Sequence, residues 1–163
     1  MTQRLLDLAG IGKDRLHLEW LSSAEAQRFA DIAKKTVDAV RAMGPLDQDL
    51  CSMQLEAAQL TVDNEAVRWL VGKELSITSK GDVYGRSWDE TKYEEVLDHA
   101  LEREYHNNLI ILAMKDGCSS VREISKRTGI AVLRISYLLA DLERTGRAEF
   151  KGMTDSTAAF AAR

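Results

Sequence analysis

The sequence predicts a mainly α-helical chain: a short helix–strand–helix at the amino end, a helical connector, and three helices with a trailing strand at the carboxyl end. Three observations carry this. The 163 residues hold a single proline, the strongest helix breaker. Apolar residues recur at spacings of three and four along much of the chain. Capping residues and glycine stops punctuate those periodic stretches. A chain this long buries roughly 70% of the surface it exposes unfolded, enough for a core without disulfides. Its hydrophobic fraction of 45% and charged fraction of 29% are ordinary for a soluble domain. The longest apolar run, residues 109–114, is far short of the ~20 residues that span a bilayer. No basic stretch followed by an apolar one opens the chain, so no secretory signal is expected. Membrane-spanning, secreted and disulfide-scaffold readings are set aside, and a cytoplasmic location is expected.

Residues 1–45 form the first expected domain. Thr2 caps a short helix ending at Ala9, and Gly10-Ile11-Gly12 breaks it. Leu16, Leu18 and Trp20 then alternate with Arg15, His17 and Glu19, the period-two pattern of a short half-buried strand. Ser22 with Glu25 three residues on is a capping box. The helix it predicts carries Phe29, Ala33, Val37 and Val40 in one apolar stripe, ended by Gly44 and Pro45.

Residues 46–92 are the expected connector. Leu46, Leu50, Met53, Ala57 and Leu60 make a coiled-coil-like seam on a helix over 46–62. Asp63-Asn64 offers a new cap, and Val67, Leu70 and Val71 continue an apolar face to Gly72. Ser76-Ile77-Thr78 and Val83-Tyr84 flank Ser79-Lys80-Gly81-Asp82, which predicts a small β-turn unit or hairpin. Ser87 with Glu90 repeats the capping-box pattern and starts a long amphipathic stretch through Lys115. His106-Asn107-Asn108 is its weakest point, where a kink is expected.

Residues 93–153 are the third expected domain and 154–163 a small, polar, mobile tail. Asp116-Gly117 stops the long helix, Ser119 or Ser120 caps the next, and Val121 and Ile124 face inward. Thr128-Gly129 makes a tight turn; Ile130, Ile135, Leu139 and Leu142 line the inner face of a third helix ended by Thr145-Gly146. Ala148 and Phe150 then alternate with charged residues, as a wing strand would. This spacing resembles the winged helix-turn-helix, a fold that specifies function weakly. Such modules read DNA with the N-terminal residues of the third helix, here Ala131, Val132, Leu133 and Arg134. Base reading needs polar donors and acceptors, which Val132 and Leu133 lack. Residues 119–153 nonetheless hold seven basic and four acidic groups, with Arg122, Lys126, Arg127 and Arg134 close together. Val132, Leu133 and Tyr137 form a ridge with three open uses: packing on the preceding helices, docking onto another protein, or touching DNA.

Charge does not choose among them. The net −4 divides as +1 over residues 1–44, −4 over 45–92 and −1 over 93–163, so no part is basic enough to imply nucleic acid. Nothing resembles a phosphate loop, a dinucleotide fingerprint or a nucleophile elbow. His17, His99 and His106 have no metal-ligand spacing; His99 with Glu102 would need two further ligands. Glu94-Glu95 and Glu102/Glu104 fit a solvated helix face better than acid–base work. Cys51 and Cys118 fit packed, reduced thiols. No catalytic residue, cofactor site or metal site is predicted in the chain.

Residues 4–45 resemble the carboxyl-terminal part of the methyl-viologen-reducing hydrogenase delta subunit family. The likeness rests on Gly10-Ile11, Arg15-Leu16, Leu18-Glu19-Trp20, Ser22/Ser23 with Ala24-Glu25, and Phe29-Ala30 before Gly44-Pro45. It implies a non-catalytic accessory role in anaerobic electron transfer. A hydrogenase or dehydrogenase would be linked to a heterodisulfide-reductase-like flavoprotein. The family's [2Fe–2S] cluster belongs to a cysteine-rich half expected before residue 1 or on a partner, and none of its ligands maps here. The runner-up is a transcriptional regulator, dimerising through the 46–60 seam and binding DNA through Arg122, Lys126, Arg127 and Arg134.

Overall fold

The computed structural model describes residues 1–47, 51–81, 83–154 and 157–163. Its chain divides into two compact units, Met1–Ser52 and Met53–Arg163. Among the described residues there are seven α-helices and one two-stranded antiparallel sheet.

The first unit holds α1 (Thr2–Leu8), a 3-10 turn at Lys13–Arg15, and α2 (Ala26–Met43). Leu5, Ala9 and Ile11 are the buried side chains among its described residues. The strand expected over residues 16–20 does not form. Among the described residues the segment joins no strand: the Leu16 carbonyl accepts from Gln3 Nε2 at 2.8 Å instead, and Leu18 and Trp20 are exposed. Alternation marks a strand only where a second strand completes its hydrogen bonds. The Ser22/Glu25 box is displaced too. Glu25 Oε2 accepts from the Ser22 amide at 2.8 Å, but this closes a turn before the helix, whose first residue is Ala26. Arg15 Nη2 donates to the Gly44 carbonyl at 3.1 Å and ties the far end of α2 to the 3-10 turn.

In the second unit α3 (Ser52–Asp63) starts later than the seam predicts, and Leu50 lies outside the described residues. Met53 and Ala57 are buried as the seam requires, but the next inward position is Thr61 rather than Leu60, which is exposed. Asn64 caps α4 (Glu65–Leu75), its Oδ1 accepting from the amides of Ala66 and Val67 at 2.9 and 3.1 Å. The helix runs past Gly72 and widens into a π-helical turn, Ser76–Lys80, which replaces the predicted hairpin; Val83 and Tyr84 are exposed. Asp82 of that unit is not described.

The axis of the unit is α5 (Glu90–Lys115), 26 residues, capped by Asp89 rather than Ser87. It packs against α4, the π-turn and the carboxyl-terminal elements. Tyr93, Leu97 and Leu101 join Val67 in one apolar cluster, with Leu70, Val71, Ile77 and Trp88 against it. No break occurs at His106-Asn107-Asn108. Both asparagines are buried and bond sideways, Asn108 Nδ2 to Thr61 Oγ1 at 3.0 Å and Asn107 Nδ2 to Glu104 Oε1 at 3.4 Å. Side chains engaged in this way do not compete for the helix's own backbone.

Local signals hold best at the carboxyl end. Ser120 and Glu123 form a reciprocal capping box on α6 (Val121–Thr128), and Gly129, at φ +76°, is its left-handed cap. α7 (Val132–Arg144) buries Ile135, Leu139 and Leu142 as expected, together with Leu138. Ile124 and Ile130 are buried as well. Arg144 and Arg103 bridge Asp141, holding its carboxyl below the usual range and tying α7 to α5. β1 (Ala148–Thr154) follows.

The expected mobile tail is corrected, since β2 (Thr157–Ala162) pairs antiparallel with β1. Small side chains made it look featureless, yet a strand needs only backbone partners and one anchor. Phe160 supplies that anchor, its ring 5.6 Å from that of Phe150. An isolated bridge from Ser120 to Ala159 extends the pairing, and the Phe160 amide donates to the Ser119 carbonyl at 2.8 Å.

Candidate functional site

The burial of one face of α7 decides what the opposite face presents. Ile135, Leu139 and Leu142 share the inner side, so at 100° per residue Leu133 and Tyr137 point directly away, with Val132 on the shoulder. Leu133 and Tyr137 are each 69% exposed and Val132 48%. These three exposed side chains make an apolar ridge near the start of α7.

Arg122, Lys126 and Arg134 are exposed. Arg127, grouped with them in sequence, instead donates to Asp116 Oδ2 at 3.1 Å. Arg134, next to Leu133 in sequence, is the cation that α7 itself carries at this end.

Behind α7, His106 on α5 is half-buried, with Nδ1 3.9 Å from Glu102 Oε1. Burial pushes its pKa below the ordinary 6.5; the Glu102 carboxylate pulls it up, and the Arg134 guanidinium adds to the depression. Folding thus favours the neutral imidazole. The unfolded chain takes up the proton first, so this contribution is present above about pH 6.5 and lost as the pH falls below it. The urea midpoint is expected to drop between about pH 7.5 and about pH 5.5, and His106→Phe to flatten that limb. An unchanged slope in the variant would assign the acid sensitivity elsewhere.

Sequence reasoning missed a polar chain through the second unit. Arg147 Nη1 donates to both carboxylate oxygens of Glu104 at 2.9 and 3.0 Å, and its Nη2 to Asn108 Oδ1 at 2.9 Å. Asn108 continues to Thr61, whose hydroxyl donates to the Ala57 carbonyl at 2.7 Å. The available signal was Asn107-Asn108 set directly before the apolar run 109–114. Polar side chains on a buried helix need partners, and here they come from α3, from α5 itself and from Arg147, just before β1.

A further exposed apolar surface lies on α2, where no residue is buried and Phe29 is 63% exposed. Of the stripe read from Phe29, Ala33, Val37 and Val40, Phe29 and Val37 are exposed while Ala33 and Val40 are half-buried.

The donor set does not suit the [2Fe–2S] cluster that the resemblance implies, since such clusters take four thiolates and the chain has Cys51 and Cys118. Among the described residues no three His, Cys, Asp or Glu side chains converge as a metal cage requires. No helix among them is long and apolar enough to cross a membrane. No solved structure matches the chain. Residues 1–44, the segment that carries α1 and α2, match the family described as methyl-viologen-reducing hydrogenase, delta subunit (FlpD).

Proposed function

We propose that this chain is an accessory, docking subunit of a hydrogenase-type electron-transfer complex, without a catalytic site of its own. The observation that carries the reading is the match of residues 1–44 to the hydrogenase delta subunit family. In this reading a delta-like segment, residues 1–45, joins through a connector, 46–92, to a winged-helix module, 93–153. The order α6, α7 and β1–β2 hairpin, with the bridge from Ser120 into β2, supports that module. Its third helix presents Leu133 and Tyr137 where a base-reading surface needs polar groups, which favours a protein partner over DNA. The partners are redox subunits, a hydrogenase or dehydrogenase and a heterodisulfide-reductase-like flavoprotein, in an anaerobic cytoplasm. In this reading the [2Fe–2S] cluster belongs to a cysteine-rich half before residue 1 or to a partner, and the flavin to a partner.

Anaerobic capture on the tagged chain tests this. Subunits with flavin or iron–sulfur absorbance should be retained, and identified by mass spectrometry. Leu133→Asp and Phe29→Asp both fall on exposed positions, so they should spare the fold and weaken retention about tenfold or more. Arg134→Ala should matter less, because rim charges act mainly on encounter rate. Recovery of no flavin or iron–sulfur protein would sink the proposal. So would duplex DNA held at ~0.15 M salt and released by Arg134→Ala.

A further inference from the structure

Between the 3-10 turn and α2 the backbone passes from Leu16 to Ser22 without helix, turn or bend. Leu16 opens the segment at φ −120° and ψ 118°, the geometry of a strand. Both of its backbone groups are occupied, the amide donating to the Lys13 carbonyl and the carbonyl accepting from Gln3 Nε2. Among the described residues no hydrogen bond reaches the amides or carbonyls of His17, Leu18, Glu19, Trp20 or Leu21. Leu18 is 74% exposed and Trp20 83%. The sequence thus alternates as a strand does, and the structure leaves its backbone and its apolar side chains open. Such a stretch is a template on which another chain can pair.

The segment's own side chains fit a second copy of it. In an antiparallel pair about a two-fold axis, the registers differ in which residue faces itself. With Glu19 on the axis two carboxylates stand directly opposite each other, which is destabilising. With His17 on the axis Trp20 would face Asp14, which the 3-10 turn Lys13–Arg15 holds out of strand geometry. With Leu18 on the axis the complementarity is complete. His17 then faces the second copy's Glu19, an imidazole N–H opposite a carboxylate, and symmetry makes that pair twice. On the other face Leu18 meets Leu18, and each Trp20 meets a Leu16.

The backbone supports the same register. Antiparallel pairs alternate between those that exchange hydrogen bonds and those that do not. If Leu18 sits in a non-bonded pair, the bonds fall to His17 and Glu19, whose amides and carbonyls are open. Leu16, already satisfied, is not called on. We infer that the chain forms an isologous dimer, its residues 16–20 pairing antiparallel with the same residues of a second copy and Leu18 on the axis. A sheet edge on a different protein would satisfy the backbone, but it has no such match to His17 and Glu19. The inference stands apart from the redox-docking reading, since it uses no residue of α2 or α7.

A two-stranded ribbon is marginal by itself, so a weak dimer is expected, with a dissociation constant of about 0.1 mM or tighter. Sedimentation of the full chain between about 10 μM and about 0.5 mM reads it. His17→Glu sets carboxylate against carboxylate at both symmetric pairs and should weaken the dimer at least about tenfold. The exchange His17→Glu with Glu19→His restores the complementarity and should restore the dimer. These positions are exposed, so circular dichroism should not change. Cysteine cross-linking reads the register in a Cys51→Ser, Cys118→Ser background. Facing residues of a non-bonded pair lie about 4.5 Å apart at Cα, within disulfide reach. Leu18→Cys should therefore oxidise to a covalent dimer at least about tenfold faster than His17→Cys or Glu19→Cys. A monomer mass up to about 0.5 mM would overturn the inference and leave a different protein's sheet edge as the occupant. Fastest cross-linking at position 17 or 19 would overturn it too, as would a dimer indifferent to His17→Glu.

Discussion

Leu139→Ala is expected to destabilise the second unit by about 2–5 kcal/mol, the loss of a buried side chain plus the cavity it leaves. Leu139 is 1% exposed and shares the inner face of α7 with Ile135 and Leu142. α7 packs against α5, α6 and β1, so little room exists for the neighbours to collapse inward. Urea unfolding would show a lower midpoint with the slope preserved. Tyr137→Ala, two residues away on the exposed face, should change stability by no more than about 0.5 kcal/mol. Equal losses from the two variants would contradict the orientation of α7, and with it the position of the apolar ridge.

Arg147→Met should cost about 1–3 kcal/mol, because it strands groups that folding has taken from water. Glu104 would lose both of its charge-assisted bonds, and Asn108 the donor to its Oδ1. The Arg147 and Glu104 side chains are 34% and 18% exposed, so water recovers part of the loss. The cost should therefore stay below the ~3–5 kcal/mol of a fully buried broken pair. Adding Glu104→Gln to Arg147→Met removes the uncompensated carboxylate. The double variant should then be less destabilised than the two single losses added together. Strict additivity would mean that the two side chains act independently, contrary to the geometry.

The elements legible in the sequence were those whose signals are local. Ser120 and Glu123 cap α6 across three residues, Gly129 turns the chain within one, and the period of Ile135, Leu139 and Leu142 sets the inner face of α7. The errors arose where structure depends on a distant partner. Leu16, Leu18 and Trp20 alternate as a strand does, but among the described residues no second strand meets them. Residues 157–162 look featureless, yet β1 and the Ser119–Ser120 backbone await them. Thr61 displaced Leu60 from the inside of α3 because Asn108, 47 residues later, needs its hydroxyl. The Val132, Leu133 and Tyr137 ridge followed from the helical period of α7, whereas nothing in residues 76–80 announces the π-turn.

The bare surface of α2 has a kinetic consequence. An 18-residue helix with no buried side chain draws its stability from backbone propensity, a few local bonds and the Arg15 tether at its far end. Such a helix lies near the helix–coil midpoint in water. Its amide protons should therefore trade with solvent through brief local fraying, while those in the middle of α5 wait for the whole second unit to open. Deuterium uptake would divide the chain into a fast amino end and a slow carboxyl end. Whatever covers Phe29 and Val37 would slow the clock of the first without touching that of the second.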